Sequence, residues 1–167
     1  CKVVGDKVYA LLFQGASSEL ITLQYSSNSY TLTSTVPITL DSGVEIATID
    51  MDGNGRLWIA SDIVTEIVLR WSDSPYTTWS SPITIATGIN SDDISTITSF
   101  DNKIGILWSN QNTKRFGFKT HIDGTNVTTW SADEVPASQS ALNIGLGMAD
   151  DHLNVVAGSD GTLYCAV

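Results

Sequence analysis

The chain has 167 residues, 42% of them apolar and 16% charged, which is enough to bury the core of one domain. Its 18 acidic residues against 8 Lys and Arg residues give a formal net charge of −10. Such an acidic chain repels phosphate backbones and anionic lipid surfaces, so the composition argues against nucleic acid and membrane partners. A cation or a neutral, hydroxyl-rich ligand stays compatible with it.

The ends of the chain carry no targeting signal that we can identify. No apolar run reaches the roughly 18 to 20 residues of a membrane-spanning helix, and no charged and then apolar segment opens the chain. The first residue is Cys1 and not Met. We therefore expect a processed, excised or partly observed piece of a longer protein.

Similar short segments recur along the chain at intervals of about fifty residues. Their anchors are Tyr9, Trp58, Trp108 and Val156, which follow one another in steps of 49, 50 and 48 residues. This period is typical of radial β architectures, because each repeat is one small sheet that buries its faces only against the next sheet. The sequence therefore predicts an all-β fold.

Runs of alternating or β-branched residues divide the two best-defined repeats into four strands each. In the second repeat the predicted strands are 45–50, 56–61, 66–71 and 79–86. In the third repeat they are 94–98, 104–109, 116–121 and 129–132. Four antiparallel strands per repeat make one blade of a β-propeller.

We predict a single β-propeller segment over residues 1–167, with blades at about 1–40, 41–89 and 90–138 and a partial blade at 139–167. The terminal blades look incomplete, since residues 1–4 are short for an inner strand. A ring needs its last sheet to meet its first, and open sheet edges invite pairing with another chain. The expected partners are therefore other copies of the chain, which would complete a homo-oligomeric ring, or the remaining blades of a longer chain.

A pattern between the third and fourth predicted strands resembles a known repeat. Ser72 and Trp79 are spaced as in the Asp-box, or BNR repeat, of sialidase-like β-propellers, which reads Ser-x-Asp-x-Gly-x-x-Trp. Ser74 replaces its Asp and Tyr76 its Gly, and in the third repeat only Trp130 is in register. In that family the Trp packs between strands and polar side chains fasten the turn. The resemblance implies a fold and not an activity.

Sialidase-like enzymes also use a cluster of three arginines, a Tyr nucleophile with a Glu partner, and an Asp acid/base. The arginines of this chain are Arg56, Arg70 and Arg115, and their positions on turns and on a middle strand would not bring them together. We therefore expect a non-catalytic scaffold or ligand-binding module, with carbohydrate as its ligand. The alternative is a fragment of a secreted sialidase-like glycoside hydrolase. We expect a secreted or extracytoplasmic location.

The turn Asp52-Gly53-Asn54-Gly55 has two interpretations. Asp50, Asp52 and Asn54 alternate along the chain, and such oxygen ligands can wrap a calcium ion. Asn54-Gly55 is also the favoured dipeptide of a tight hairpin, and the equivalent turns do not repeat the oxygen pattern. We expect a hairpin turn and no cofactor, with calcium as the alternative.

Two groups of polar residues are candidates for ligand binding. Asp150, Asp151 and His152 place two carboxylates beside an imidazole, which suits acid–base chemistry or a metal, although adjacent strand residues point apart. Glu45 and Asp93 each lead into a predicted inner strand, so they would ring the mouth of a central channel. Solvated turn acids are the alternative for this second pair.

The last candidates are an aromatic residue for ligand binding and two cysteines for a disulfide. Trp71 precedes a polar turn and is the best exposed residue for stacking on a sugar ring, whereas the apolar neighbours of Trp58 and Trp108 predict matching places in the core between blades. Cys1 and Cys165 are candidates for a disulfide that joins the two ends or two subunits. Two free thiols are the alternative.

Overall fold

The computed structural model describes residues 1–15, 17–134 and 152–166, and these residues form β-strands and no helix. Strands that follow one another in the chain pair antiparallel in several small sheets, none of which closes on itself. The prediction of an all-β fold is confirmed. Since the described residues contain no helix, none of them forms a helix that could cross a membrane.

The strands of the described residues form three sheets and one hairpin. The first sheet consists of β1 (Lys2–Val4), β2 (Lys7–Leu12), β3 (Ser17–Ser26) and β4 (Ser29–Thr39). The second sheet consists of β5 (Ala47–Met51), β6 (Leu57–Ile63), β7 (Glu66–Ser72) and β8 (Ile83–Thr87). The third sheet consists of β9 (Ser95–Phe100), β10 (Lys103–Asn110) and β11 (Arg115–Ile122), and the terminal hairpin of β12 (Asn154–Ala157) and β13 (Leu163–Ala166).

The strand content of the sheets differs from the prediction in three places. The first sheet is not incomplete, because all three residues of β1 pair with β2. The last strand of the second sheet begins at Ile83 and not at residue 79, since Pro82 has no N–H to donate to the ladder. Residues 129–132 form no strand, and only Glu134 makes an isolated bridge, to Phe118 of β11.

The second sheet lies between the first and third sheets, and β6 shows this most directly. Leu57 and Ile59 belong to the buried cluster shared with the first sheet, whereas Trp58 and Ala60 belong to the cluster shared with the third. Successive strand residues point to opposite faces, so a strand that is buried on both sides needs apolar residues at consecutive positions, as in Leu57–Ala60. All seven residues of β6 except Ile63 are buried.

Trp58 and Trp108 are both buried between the second and third sheets, as predicted, with exposures of 0% and 2%. Their positions do not match, however. Trp58 is opposite Asp50 near the β5–β6 turn, whereas Trp108 is opposite Ser95 at the far end of its sheet. The turn before Trp58 is longer than the tight Asp101-Asn102 turn before β10, so equal sequence spacing does not preserve the strand position.

Ser80, beside the second sheet, and Ser131, beside the third sheet, make the same two hydrogen bonds to a neighbouring strand. The Ser80 N–H donates to the Trp71 carbonyl oxygen at 2.9 Å, and its hydroxyl accepts the Trp71 N–H at 3.1 Å. Ser131 makes both bonds to Thr120, at 2.9 and 3.0 Å. Both serines thus fasten the segment after a third strand to that strand.

The tryptophan that precedes each of these serines packs against the preceding sheet. Trp79 lies against the cluster between the first and second sheets, and Trp130 against the cluster between the second and third. Trp130 also forms an edge contact with Trp58, with ring centroids 5.9 Å apart. The Trp-Ser pair therefore links neighbouring sheets as well as neighbouring strands.

Candidate ligand-binding site

The first strands of the three sheets lie side by side, with β5 in contact with both β1 and β9, and β12 also contacts β9. Three polar side chains connect them. The Lys2 ammonium is 2.8 Å from Asp50 Oδ1 and donates to Ser99 Oγ at 2.7 Å. The Ser99 N–H donates to Asp50 Oδ2 at 2.6 Å. The inner strands of three sheets are therefore joined at one point.

An open cleft of about 360 Å³ lies at the end of these inner strands, where the β5–β6 turn, the β9–β10 turn and the turn after β11 meet. Its walls combine carboxylates, two lysines and apolar side chains. The lining residues are Lys2, Val4, Met51, Asp52, Gly53, Gly55, Ser99, Phe100, Asp101, Asn102, Lys103 and Asp123. This surface offers hydrogen-bond donors and acceptors around a partly apolar floor.

Asp123 is the described cleft residue that has a buried acceptor without a partner. Its Oδ2 accepts the Gly53 N–H at 2.7 Å, while its Oδ1 is buried and has no hydrogen-bond partner among the described residues. Desolvation by burial raises the pKa of Asp123, the bond from Gly53 lowers it, and the charge of Asp52 raises it further. The sequence analysis did not select Asp123, because nothing local indicates a contact with Gly53, 70 residues away.

The proposed calcium ligands are already engaged with protein donors. Asp52 accepts the N–H groups of Asn54 and Arg56, both at 2.9 Å, and the indole N–H of Trp58 at 3.0 Å. Asp50 is bound to Lys2 and Ser99 as described. The Gly55 N–H donates to the Asp52 carbonyl oxygen at 3.1 Å, which closes a turn. The described residues include no group of three or more His, Cys, Asp or Glu residues placed to hold a metal.

Glu45 and Asp93 lie at the other end of the inner strands, before β5 and β9, so neither reaches the cleft. Asp93 is fully buried and accepts the N–H groups of Asn90 at 2.6 Å and Gln111 at 3.0 Å. Glu45 is exposed, and its N–H donates to Asp62 at 3.0 Å. Asp62 on β6 also accepts the Ile46 N–H at 2.9 Å, and the sequence analysis missed this buried carboxylate.

Trp71 is half-buried, and a cation of the same chain covers its ring. The Arg56 guanidinium lies 4.1 Å from the ring centroid and forms two hydrogen bonds to Asp73, at 2.8 and 3.0 Å. These bonds lower the pKa of Asp73 and raise the pKa of Arg56. A stacked sugar would have to displace Arg56. Arg70 is paired separately with Asp41 at 2.7 Å.

Of the remaining candidates, those among the described residues do not line the cleft. Asp150 and Asp151 are outside the described residues, and His152 is exposed just before β12. Cys1 and Cys165 are exposed, free thiols, so the disulfide between the two ends is not formed. Cys1 directly precedes β1, which contacts β5. Cys165 lies on β13 of the terminal hairpin, and the other strand of that hairpin, β12, contacts β9.

Comparison with known proteins gives no assignment. No protein-family model matches the sequence, and no curated protein is recognisably similar to it. The geometry of the chain is thus the basis for any functional conclusion.

Proposed function

We propose that the chain is a non-catalytic segment of a BNR-type β-propeller that binds a small, neutral, polyhydroxylated ligand, a carbohydrate, in the cleft at the ends of its inner strands. The observation that carries this proposal is the cleft itself, in which Lys2, Asp123 and Phe100 come from three separate parts of the chain. Its volume of about 360 Å³ falls within the roughly 300 to 1,000 Å³ of small-molecule sites.

The order in which the sheets contact one another supports the proposed radial arrangement of blades. The first strands of successive sheets are neighbours, and each further strand pairs outward from the previous one. The repeated Trp-Ser contacts at Trp79 and Trp130 support the resemblance to the Asp-box, since a Trp packs between sheets and a polar side chain fastens the segment. We also propose that the chain forms four blades and that these blades make up an incomplete ring.

The chemistry of the cleft favours a neutral ligand. Lysine ammonium groups donate hydrogen bonds, carboxylates accept them, and sugar hydroxyls do both. The ring of Phe100 offers an apolar surface of the kind on which the carbon face of a sugar packs. An anionic ligand would be opposed by the net charge of −10.

Binding to a glycan array, combined with a panel of chromogenic glycosides, tests the proposal. We expect binding without turnover. Lys103→Gln should weaken binding by about tenfold or more, because a hydrogen bond to a charged group contributes roughly 1.5 to 3 kcal/mol. Lys114→Gln, the same change in the β10–β11 turn outside the cleft, is the matched control and should not alter affinity. Glycoside hydrolysis would instead support the fragment of a secreted glycoside hydrolase.

A further inference from the structure

One face of the first sheet presents a continuous row of apolar side chains to solvent. Val3 is opposite Val8, Val8 is opposite Leu23, and Leu23 is opposite Leu32, so the row crosses all four strands. Val3 and Leu32 are 61% and 56% exposed. Because directly opposed residues share a face, this row lies on the side of the sheet away from Tyr9 and Leu20, which face the second sheet.

We call this surface the free face of the first sheet. Its aliphatic residues are Val3, Val8, Ala10, Leu12, Ile21, Leu23 and Leu32, and Glu19, Tyr25 and Tyr30 lie on the same face. Neither of the two buried clusters formed by the described residues includes any of them. An exposed apolar surface across a whole sheet marks an interaction site more often than a solvated one.

The other end of the sheet order also presents an apolar pair. Val156 of β12 is opposite Tyr164 of β13, and the two side chains are 61% and 59% exposed. Their neighbours Val155 and Ala157 are half-buried, and β12 lies against β9. The hairpin therefore has one side toward the third sheet and an apolar side turned away from it.

We propose that the free face of the first sheet binds the Val156–Tyr164 side of the terminal hairpin of a second copy of this chain, and that two copies close through two equivalent contacts of this kind. The proposed contact repeats a kind of packing that the chain already shows. The second sheet packs face to face against the first sheet on one side and against the third sheet on the other. The inference rests on the radial arrangement proposed above and is independent of the ligand.

The charge of the chain favours an apolar contact over a charged one. Each copy carries a net charge of −10, so two copies repel one another at long range. Burial of apolar side chains can overcome this repulsion, and added salt screens it. The proposed contact should therefore become stronger and not weaker as the salt concentration rises.

Light scattering of the purified chain tests the proposal. We expect twice the mass of the 17.9 kDa chain, and the monomer mass for both Leu32→Glu and Tyr164→Glu. Val64→Glu is the control, because Val64 is 52% exposed in the β6–β7 turn, outside both surfaces, and this variant should remain dimeric. Circular dichroism of each variant verifies that it is folded.

Mixing the two monomeric variants gives a sharper test. A Leu32→Glu copy retains its hairpin and a Tyr164→Glu copy retains its free face, so the mixture should form a heterodimer with one intact contact. A monomeric wild-type chain would overturn the proposal. So would a Tyr164→Glu variant that stays dimeric, since that result would show first sheets packed on each other. Glycan binding by a monomeric variant would support the proposed ligand site independently of whether the proposed dimer forms.

Discussion

The carboxylate of Asp50 on β5 accepts the backbone N–H of Ser99 on β9 at 2.6 Å, although the two strands belong to different sheets. Its other oxygen is 2.8 Å from the Lys2 ammonium on β1. One side chain, 8% exposed as a whole residue, thus ties the inner strands of three sheets together. Lys2 and Ser99, the two residues bonded to Asp50, both line the cleft.

Asp50→Ala should reduce the free energy of unfolding by about 2 to 3 kcal/mol, because it leaves the Ser99 N–H without its acceptor and removes a charge-assisted bond. Lys2→Met should cost about 1 kcal/mol or less, since the Lys2 side chain is 29% exposed and its ion pair is weakened by water. Urea denaturation of both variants measures the difference. Equal losses would mean that the ion pair, and not the Ser99 N–H, accounts for the stabilisation.

Gly117→Ala should destabilise the third sheet by about 2 kcal/mol or more, a typical cost of overpacking. Gly117 is opposite Trp108, and a Cβ at this position would lie 2.0 Å from the indole ring. In a Trp108→Leu background the same change should cost much less, because the smaller side chain leaves room for the methyl group. A double-mutant cycle measures this coupling, and additive effects would contradict the proposed contact.

Asp93→Asn should cost about 1 to 3 kcal/mol, because the amide is uncharged and its NH2 group would face the Gln111 N–H in place of the carboxylate oxygen that now accepts it at 3.0 Å. Asp92→Asn is the matched control, because its exposed neighbour should change stability by no more than about 0.5 kcal/mol. Denaturant unfolding of the two variants makes the comparison. If Asp93→Asn lost ligand affinity at unchanged stability, the interpretation of Asp93 as a ligand-binding residue at a channel mouth would be favoured instead.

Asp123→Asn should alter how stability depends on pH. Burial raises the pKa of Asp123 in the folded chain, so its favourable contribution is complete below the unfolded value of about 3.9 and is lost as pH rises through the folded value. The variant cannot ionise there, and its stability relative to wild type should increase across that interval. The lowered pKa of Asp73 makes the chain more stable as pH rises, but it does so equally in the wild type and in Asp123→Asn.

Thermal unfolding of the two proteins, recorded from about pH 3 to pH 7, tests this expectation. The melting temperatures should be similar at the acidic end and should separate in favour of Asp123→Asn toward neutral pH. A constant difference at all pH values would show that ionisation of Asp123 does not contribute.

The sequence predicted the all-β fold and most strands of the second and third sheets, because alternation and turn residues are local signals. It placed Trp58 and Trp108 at matching positions because it measured the repeat by residue count, whereas the β5–β6 and β9–β10 turns differ in length. The structurally matching pair is Trp79 and Trp130, which the Asp-box resemblance had already brought into register.

The candidate site was harder to predict, because its residues meet only after three sheets pack together. Asp52 was selected for its oxygen atoms, yet the fold directs those atoms to neighbouring N–H groups. Asp123 was not selected from the sequence, although packing leaves one of its oxygens buried and unpaired among the described residues. Local sequence shows which residues can bind, but not which of them remain available after folding.

The most direct test of the ligand-binding cleft is an amide chemical-shift titration of the isotope-labelled chain with glycans that bind on the array. We expect shifts at Gly53, Ser99, Asn102 and Asp123, which line the cleft from separate parts of the chain. Shifts confined to the region around Trp71 and Arg56, or around His152, would place the ligand elsewhere and contradict the assignment of this cleft as the binding site.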